Sequence, residues 1–346
     1  MHDNFIKVNT ALPMIVIEPP KIFSLSKNYE ESVRCLSHLK REVYHPNLVK
    51  GKRQPISINL ASIEELQPAA ALVLAAELDR WRRLDGIRLQ PRRLDEWSDQ
   101  VLSLAHDLGL FDLLEVGLGH KSKINERLKE ILHSSSIVSA LQFVTGDRNT
   151  REITEKLAEN LIKQVPEFGR KLTEKDDMAL NTALAEASLN SVQHAYAYGG
   201  LKYPKVGNRW WAAAVYQQQG DRKYAKLFVY DQGAGIPKTL PKSTVGKEIM
   251  RIFKGRKNDD ISLGWSDGER IRAALESNVS STEKGNRGKG LPQIVKAISA
   301  VGGKLRVISG KGSVIYTKQD GVTMSSDNTI HLGGTMLEWT FSLDET

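Results

Sequence analysis

An α/β amino-terminal domain followed by an α+β two-layer sandwich is the architecture this sequence predicts. Short apolar strands alternate with amphipathic helices over the first third of the chain. The remainder places its clearest helices first and mostly antiparallel strands last. At 346 residues the chain is long enough for two ordinary cores.

The elements follow in order. "MIVIEP" reads as a short strand, and "NYEESVRCLSHLKREVY" spaces its apolar residues for one face of a helix. "PISINLASI" alternates like a half-buried strand, and "PAAALVLAAELDRWRRL" is a helix with Pro68 suited to its first turn. A strand "GIRLQP", a helix "RLDEWSDQVLSLAHDLG" and a closing "FDLLEVG" complete a domain drawn at residues 1–120. From Lys121 a helix leads to "IVSALQFVTG", the expected first strand of a second domain, 121–346. "REITEKLAENLIKQV" and Lys175 to Tyr198 are helices, and "WWAAAVYQQ" and "YAKLFVYDQ" are strands paired through "QGDRK". No element order is legible in the basic stretch that follows. The chain ends in a glycine-rich loop, a helix "PQIVKAISAV" and the strands "KLRVIS", "GSVIYTK" and "TMLEWTFSL".

Composition narrows the function classes. No apolar run has membrane-spanning length, and the amino terminus lacks the basic start and cleavage site of a secretory signal, so a cytoplasmic protein with no membrane partner is expected. Cys35 is the single cysteine, which precludes an internal disulfide. No Cys/His cluster has zinc spacing, so no structural metal is expected. Residues 1–150 hold 20 Lys/Arg against 19 Asp/Glu, whereas 151–346 hold 29 against 22. The excess is thickest from Lys238 to Lys289. It suits a polyanionic small ligand; nucleic acid is the lesser reading, because no aromatics interleave with the basic residues.

Three short stretches carry chemistry. "ALAEASLNSVQHAY" sets Glu186, Asn190 and His194 four residues apart, so the side chains drift along one helix face while Leu180 and Leu184 occupy the other. It reads either as a solvated polar stripe or as a catalytic and metal-binding face. "LFVYDQGAGIP" runs a strand into Asp231, with Gly233, Gly235 and Ile236 behind it. A carboxylate there can accept from an exocyclic amine, and the glycines let backbone approach a flat ring. "EKGNRGKGLPQIVKAI" opens a helix at Leu291 behind Gly288 and Gly290, with Arg287 and Lys289 adding charge where free N–H groups can cradle phosphate. It is neither a Walker loop nor a dinucleotide fingerprint.

Taken in order, E-x-x-x-N-x-x-x-H-A-Y, D-x-G-x-G-I-P, G-x-x-G-x-G-L and a late "GGT" resemble the GHKL superfamily of gyrase-type topoisomerases, large heat-shock chaperones, histidine kinases and mismatch-repair ATPases. The resemblance covers about residues 135–346 and implies its two-layer Bergerat fold, ATP and Mg²⁺. It makes Glu186 the general base and Asn190 the Mg²⁺ ligand. Asp231 becomes the reader of the adenine amine, Gly233, Gly235 and Ile236 its neighbours, and Gly288, Gly290 and Leu291 the phosphate loop. Thr335 matches the threonine near an adenine-side water, and residues 238–286 match a mobile ATP lid. His194 fits a basic residue or a packed helix-end histidine equally.

The first domain is similar to a STAS domain in its order of strands and helices. That module's phosphorylatable Asp-Ser pair at a helix start is replaced by Gln67 and Pro68 in "ELQPAAA", so no hydroxyl stands there. Neither His106-Asp107 nor His133-Ser134 reads as a kinase phosphoacceptor. Two functions follow from the resemblances. One is an ATPase switch with slow hydrolysis acting on a protein partner. The other is a serine/threonine kinase of the anti-sigma-factor type, acting in trans. A homodimer is compatible with both.

Overall fold

The structure, a computed structural model, describes residues 6–9, 14–43, 56–86, 90–113, 123–131, 137–146, 150–164, 173–197, 206–242, 246–251, 264–276 and 290–344. Two compact units divide at Phe143/Val144.

The first unit carries a four-stranded mixed sheet. Strands β1 (Ile6–Asn9) and β2 (Met14–Ile17) are antiparallel, and β4 (Ile56–Asn59) and β6 (Gln90–Arg92) continue from β2 in parallel. A small parallel pair, β3 (Ile22–Phe23) and β5 (Glu65–Leu66), is not legible in the sequence as strands because two residues show no alternation. Helix α1 (Tyr29–Val43) packs on α2 (Pro68–Asp85). Residues 68 to 81 of α2 are buried all round, and Gly86 at φ 64° ends the helix by donating its N–H to Arg82 O. Such burial traps charge, and the charge is paired. Glu77 bridges Lys40, at 2.8 Å, and Arg80, while Asp79 holds Arg83 at 2.9 Å and Arg82 at 3.2 Å. Burial pushes the Lys40 ammonium below its ordinary range, against the pull of Glu77. Burial likewise holds the Cys35 thiol up at about 12, which leaves it inert.

Where one helix was expected over residues 93–109, Arg93 at φ 55° and the extended Trp97 break the chain into a 3₁₀ turn, Leu94–Glu96, and α3 (Asp99–Asp107), capped by Ser98. Helix α4 (Leu110–Leu113) follows. The domain boundary comes later than residue 120. Helix α5 (Lys123–Ile131) is tied to the first unit by Arg127, which donates to Asp99 and to the carbonyl of Trp97 at 2.7 Å.

The second unit is a seven-stranded sheet in the order β12-β11-β10-β13-β9-β8-β7. Edge strand β7 (Ile137–Gly146) contains the unit boundary. Helices α6 (Thr150–Gln164) and α7 (Glu174–Asn190) follow. Strands β8 (Trp210–Gln219) and β9 (Arg222–Asp231) pair through a turn at Gly220–Asp221, two residues where five were expected. Next come α8 (Ile236–Thr239), a 3₁₀ turn, α9 (residues 246–251), α10 (Asp267–Glu276) and α11 (Gly290–Val301). The antiparallel strands β10 (Lys304–Ser309), β11 (Gly312–Thr317), β12 (Gly321–Asp327) and β13 (Thr335–Ser342) close the sheet. Strand β12 is exposed from Thr323 to Asp327, which explains why its polar residues carry no strand signal.

The stretch compared with a lid holds ordered elements. Ile249, Trp265 and Ala273 form a small core with Leu240 and Met250. The first N–H groups of α10 are capped from β12 by the Asp327 carboxylate, at 2.7 Å to Gly268, and Asp267 accepts from Lys311 N at 2.8 Å. Part of its basic charge is internally paired, Arg251 with Glu248 and Arg272 with Glu276.

Candidate functional site

Helix α7 starts at a capping box, in which Thr173 and Asp176 satisfy each other's backbone, with Glu174 and Asp177 completing an acidic first turn. Its Leu180, Ala183, Leu184 and Ala187 face is buried, and the helix packs against α6 and α11. Glu186 and Asn190 lie one turn apart and half-buried. Burial alone raises the Glu186 carboxyl above its ordinary value, which suits a group that must take a proton near neutrality.

After Asn190 the helix opens into one π turn, Ser191–Ala195, in which His194 is half-buried like Glu186 and Asn190. The π turn meets the loop after β9. Ala195 O accepts from Ala234 N at 2.8 Å, and Tyr196 Oη accepts from Gln232 N at 3.0 Å while donating to Arg209 O at 2.5 Å. A Cβ on Gly233 would come within 2.4 Å of Ala195 Cβ and O, so this approach requires glycine.

Asp231 ends β9 buried, 6% exposed. Its Oδ1 accepts from Gly233 N at 2.8 Å, and Ser191 Oγ lies 3.4 Å from Oδ2. The single Ser191 proton is shared between Oδ2 and Ala187 O, at 3.1 Å, and Oδ2, with more than one lone pair, keeps capacity for a further donor. Burial lifts the Asp231 carboxyl to about 6, against the lowering hydrogen bonds from Gly233, Ser191 and the Thr335 backbone. In backbone register Asp231 faces Thr335 on β13. Gly235, at φ 85°, turns the chain into Ile236, whose N–H is held by Ser309 Oγ at 2.8 Å.

At the other end, α11 begins against α7. A Cβ on Gly290 would lie 2.4 Å from both Nδ2 and Oδ1 of Asn190. Among the described residues the buried Asn190 Nδ2 has no hydrogen-bond partner, a costly state that an acceptor would relieve. Leu291 is half-buried in the first turn of α11, and Arg287, Gly288 and Lys289 lie outside the described residues. Among the described residues no group of three or more His, Cys, Asp or Glu gathers to hold a metal. A divalent ion that takes one protein oxygen and completes its shell with phosphate and water needs no such cluster, and Asn190 fits that demand. Between the layers an apolar cavity is lined by Ala183, Ala187, Val229, Ile294, Leu337 and Trp339, among others.

The structure therefore brings Asn190 and Gly290 together at the α7/α11 junction, with Glu186 one turn earlier on α7. It places Asp231, Gly233, Gly235, Ile236 and Thr335 together at the strand ends. Sequence reasoning missed Ser191, Tyr196 and Ser309. Ser191 follows Asn190 directly and Ser309 ends a strand, but neither carries a spacing signal. Among the described residues no helix is long and apolar enough to cross a membrane. The chain matches no protein-family model and no curated protein.

Proposed function

We propose that the second unit is a Mg-ATP site of the GHKL type, in a cytoplasmic protein that uses nucleotide binding and slow hydrolysis to switch its hold on a protein partner. The observation that carries this reading is the Asn190 amide, closed against Gly290 and sharing one helix with Glu186. Its Nδ2 has no partner among the described residues and can donate to a phosphate oxygen while its Oδ1 serves a metal. The buried Asp231 carboxylate and the Thr335 hydroxyl supply two things a purine edge needs, an acceptor and a hydroxyl.

In this mechanism Asp231 takes the exocyclic amine, and Gly233 lets the backbone close on the ring. Asn190 would hold Mg²⁺, which when bound neutralises phosphate charge. Glu186, kept partly protonatable by burial, takes the proton of the attacking water. The first unit then serves as a docking module of STAS type. In it the residue before α2, Gln67, turns its side chain away from the helix to accept from Ser26 Oγ at 2.7 Å.

The second reading is a serine/threonine kinase in trans, which uses the same base on a partner's hydroxyl. Incubation with ATP labelled at the γ-phosphate tests both. Label released as inorganic phosphate is expected for the switch, and label retained on protein selects the kinase. No nucleotide binding at millimolar Mg-ATP refutes both.

A further inference from the structure

We propose that the outward face of α7 is the docking surface for a protein partner, which seats on it an amphipathic helix with an apolar stripe and a basic end. The use of this surface in a switch rests on the reading above, whereas its geometry does not.

Helix α7 is apolar on two opposite sides and buries only one of them. Leu180, Ala183, Leu184 and Ala187 form the buried side. Opposite them, Met178, Thr182, Ala185 and Leu189 follow one another at steps of four, three and four residues. Such steps keep all four within about 60° of the helix surface, in a heptad seam about 16 Å long. Among the described residues four large apolar side chains are exposed, Ile22, Met178, Leu189 and Met324, and α7 carries two of them. Met178 is 72% exposed and Leu189 38%. The neighbouring helix α6 presents Glu152, Glu155, Lys156, Glu159, Asn160 and Lys163 to solvent instead. A helix that meets only water on its outer side is polar there, so the seam on α7 calls for an apolar partner.

The charge at the amino end of the seam selects the kind of partner. Glu174, Asp176 and Asp177 gather there, with Lys175 as the one cation of the turn. Asp176 is used in the capping box. Asp177 Oδ1 has no hydrogen-bond partner among the described residues, and burial together with Asp176 and Glu174 lifts its carboxyl above the ordinary value. A second copy of this chain fits poorly. A parallel pair would set these acids against their own counterparts, and an antiparallel pair would set them against the partial negative charge at the end of the partner helix. A basic helix fits. Run antiparallel, it brings the basic last turn that helices favour against Glu174 and Asp177, while its apolar residues interlock with Met178, Ala185 and Leu189. Glu186 stands about 70° round from the middle of the seam, so a partner seated there lies beside the proposed base.

The test is the binding of a labelled synthetic helical peptide of about 18 residues, with leucines at the same spacing and lysines in its last turn. Binding is followed by fluorescence anisotropy with the full chain, without nucleotide, and a control peptide carries glutamate in place of lysine. The chain has a net charge of +8, so a basic probe finds no general attraction. The basic peptide is expected to bind at micromolar concentrations and the acidic one at least about tenfold more weakly. Met178→Ser and Leu189→Ser should each weaken the basic peptide about five- to tenfold. Glu174→Gln should weaken it about threefold and flatten its dependence on salt. All three substitutions lie on the outward side, so thermal melts close to the parent's separate docking from damage to the fold. Equal binding of the two peptides, affinity unmoved by Met178→Ser and Leu189→Ser, or no binding at millimolar peptide overturns the proposal. So does a concentration-dependent dimer in sedimentation that Leu189→Ser abolishes, which assigns the seam to a second copy. A chain that binds the basic peptide as expected but not Mg-ATP keeps the docking surface and loses the nucleotide switch.

Discussion

Replacing Asp231 by asparagine should make the protein more stable and poorer at binding nucleotide. The carboxyl is buried, which raises it from 3.8 to about 6. Raising a carboxyl that far corresponds to about 3 kcal/mol between its protonated and charged forms. Below 3.8 the group is protonated in both the folded and unfolded chain, and no penalty exists. Between 3.8 and about 6 the unfolded chain loses its proton first, so stability falls as pH rises, and above about 6 the full penalty is present. Asparagine keeps an oxygen for Gly233 N but loses the charge that strengthens that bond, so the net gain at pH 7.5 should be about 2 kcal/mol. For a unit of this size that is about 4–8 °C in melting temperature. Thermal melts of parent and variant at pH 4 and 7.5 measure it. A variant that is less stable than the parent at pH 7.5, or a difference equal at both pH values, refutes the reasoning. ATP affinity moves the opposite way: loss of the charged acceptor should cost ten- to a hundredfold, about 1.5–3 kcal/mol. In the parent, ATP should bind up to about tenfold more weakly at pH 5 than at pH 7, because the protonated carboxyl is a weaker acceptor for the amine than the charged carboxylate.

Other substitutions separate the remaining parts of the site. Glu186→Gln should retain ATP binding and lose turnover by about 10²–10⁴, whereas Asn190→Ala should weaken Mg²⁺-dependent binding; affinity with and without Mg²⁺, together with turnover, distinguishes base from ligand. Parent-like behaviour in both would reduce the α7 face to a polar stripe. Gly290→Ala places a methyl where the Asn190 amide now lies. That short side chain must turn aside, so Mg-nucleotide affinity should drop at least about tenfold while the melt changes by about 1 kcal/mol or less. In the first unit, Glu77→Gln leaves the buried Lys40 and Arg80 without their shared counter-charge and should cost about 3–5 kcal/mol in urea titrations; a loss under about 1 kcal/mol would show that the cluster is hydrated.

Much of the fold was legible where pattern and period agree. The helices α1, α2 and α6, the strands β8 and β9, and the carboxyl-terminal strands β10, β11 and β13 all carry strong periodicity, and each forms close to its expected bounds. What escaped has physical causes. β3 and β5 are too short to alternate, β12 is polar because it is exposed from Thr323 to Asp327, and the break at Trp97 depends on a left-handed Arg93 that no spacing announces. Helix α10 is held by contacts to β11 and β12 distant in sequence, such as Asp327 on Gly268 N, so its own residues say little. Within the candidate site, motif spacing singled out Asp231, Asn190 and Gly290. The residues that orient them, Ser191, Tyr196 and Ser309, act through hydrogen bonds made only after the sheet and α7 have assembled.

The π turn explains why the two ends of the site cannot be tuned separately. Asn190 closes the last α-helical turn against Gly290, and the next five residues deliver Ala195 O and the Tyr196 ring to the loop that follows Asp231. A continued α-helix would advance about 100° per residue and would swing Ala195 away from Ala234 N; the wider turn slows that rotation and keeps the carbonyl on the loop. Gly233 is required on the same account, since its backbone lies against Ala195 too closely for any side chain. A displacement of Asn190 along α7 must therefore carry Ala195 with it, press on Gly233 and move the N–H that holds Asp231 Oδ1. On the proposed ATP-binding reading, the Asn190 end and the Asp231 end of the site share one backbone lever, which is the coupling a nucleotide-driven switch requires.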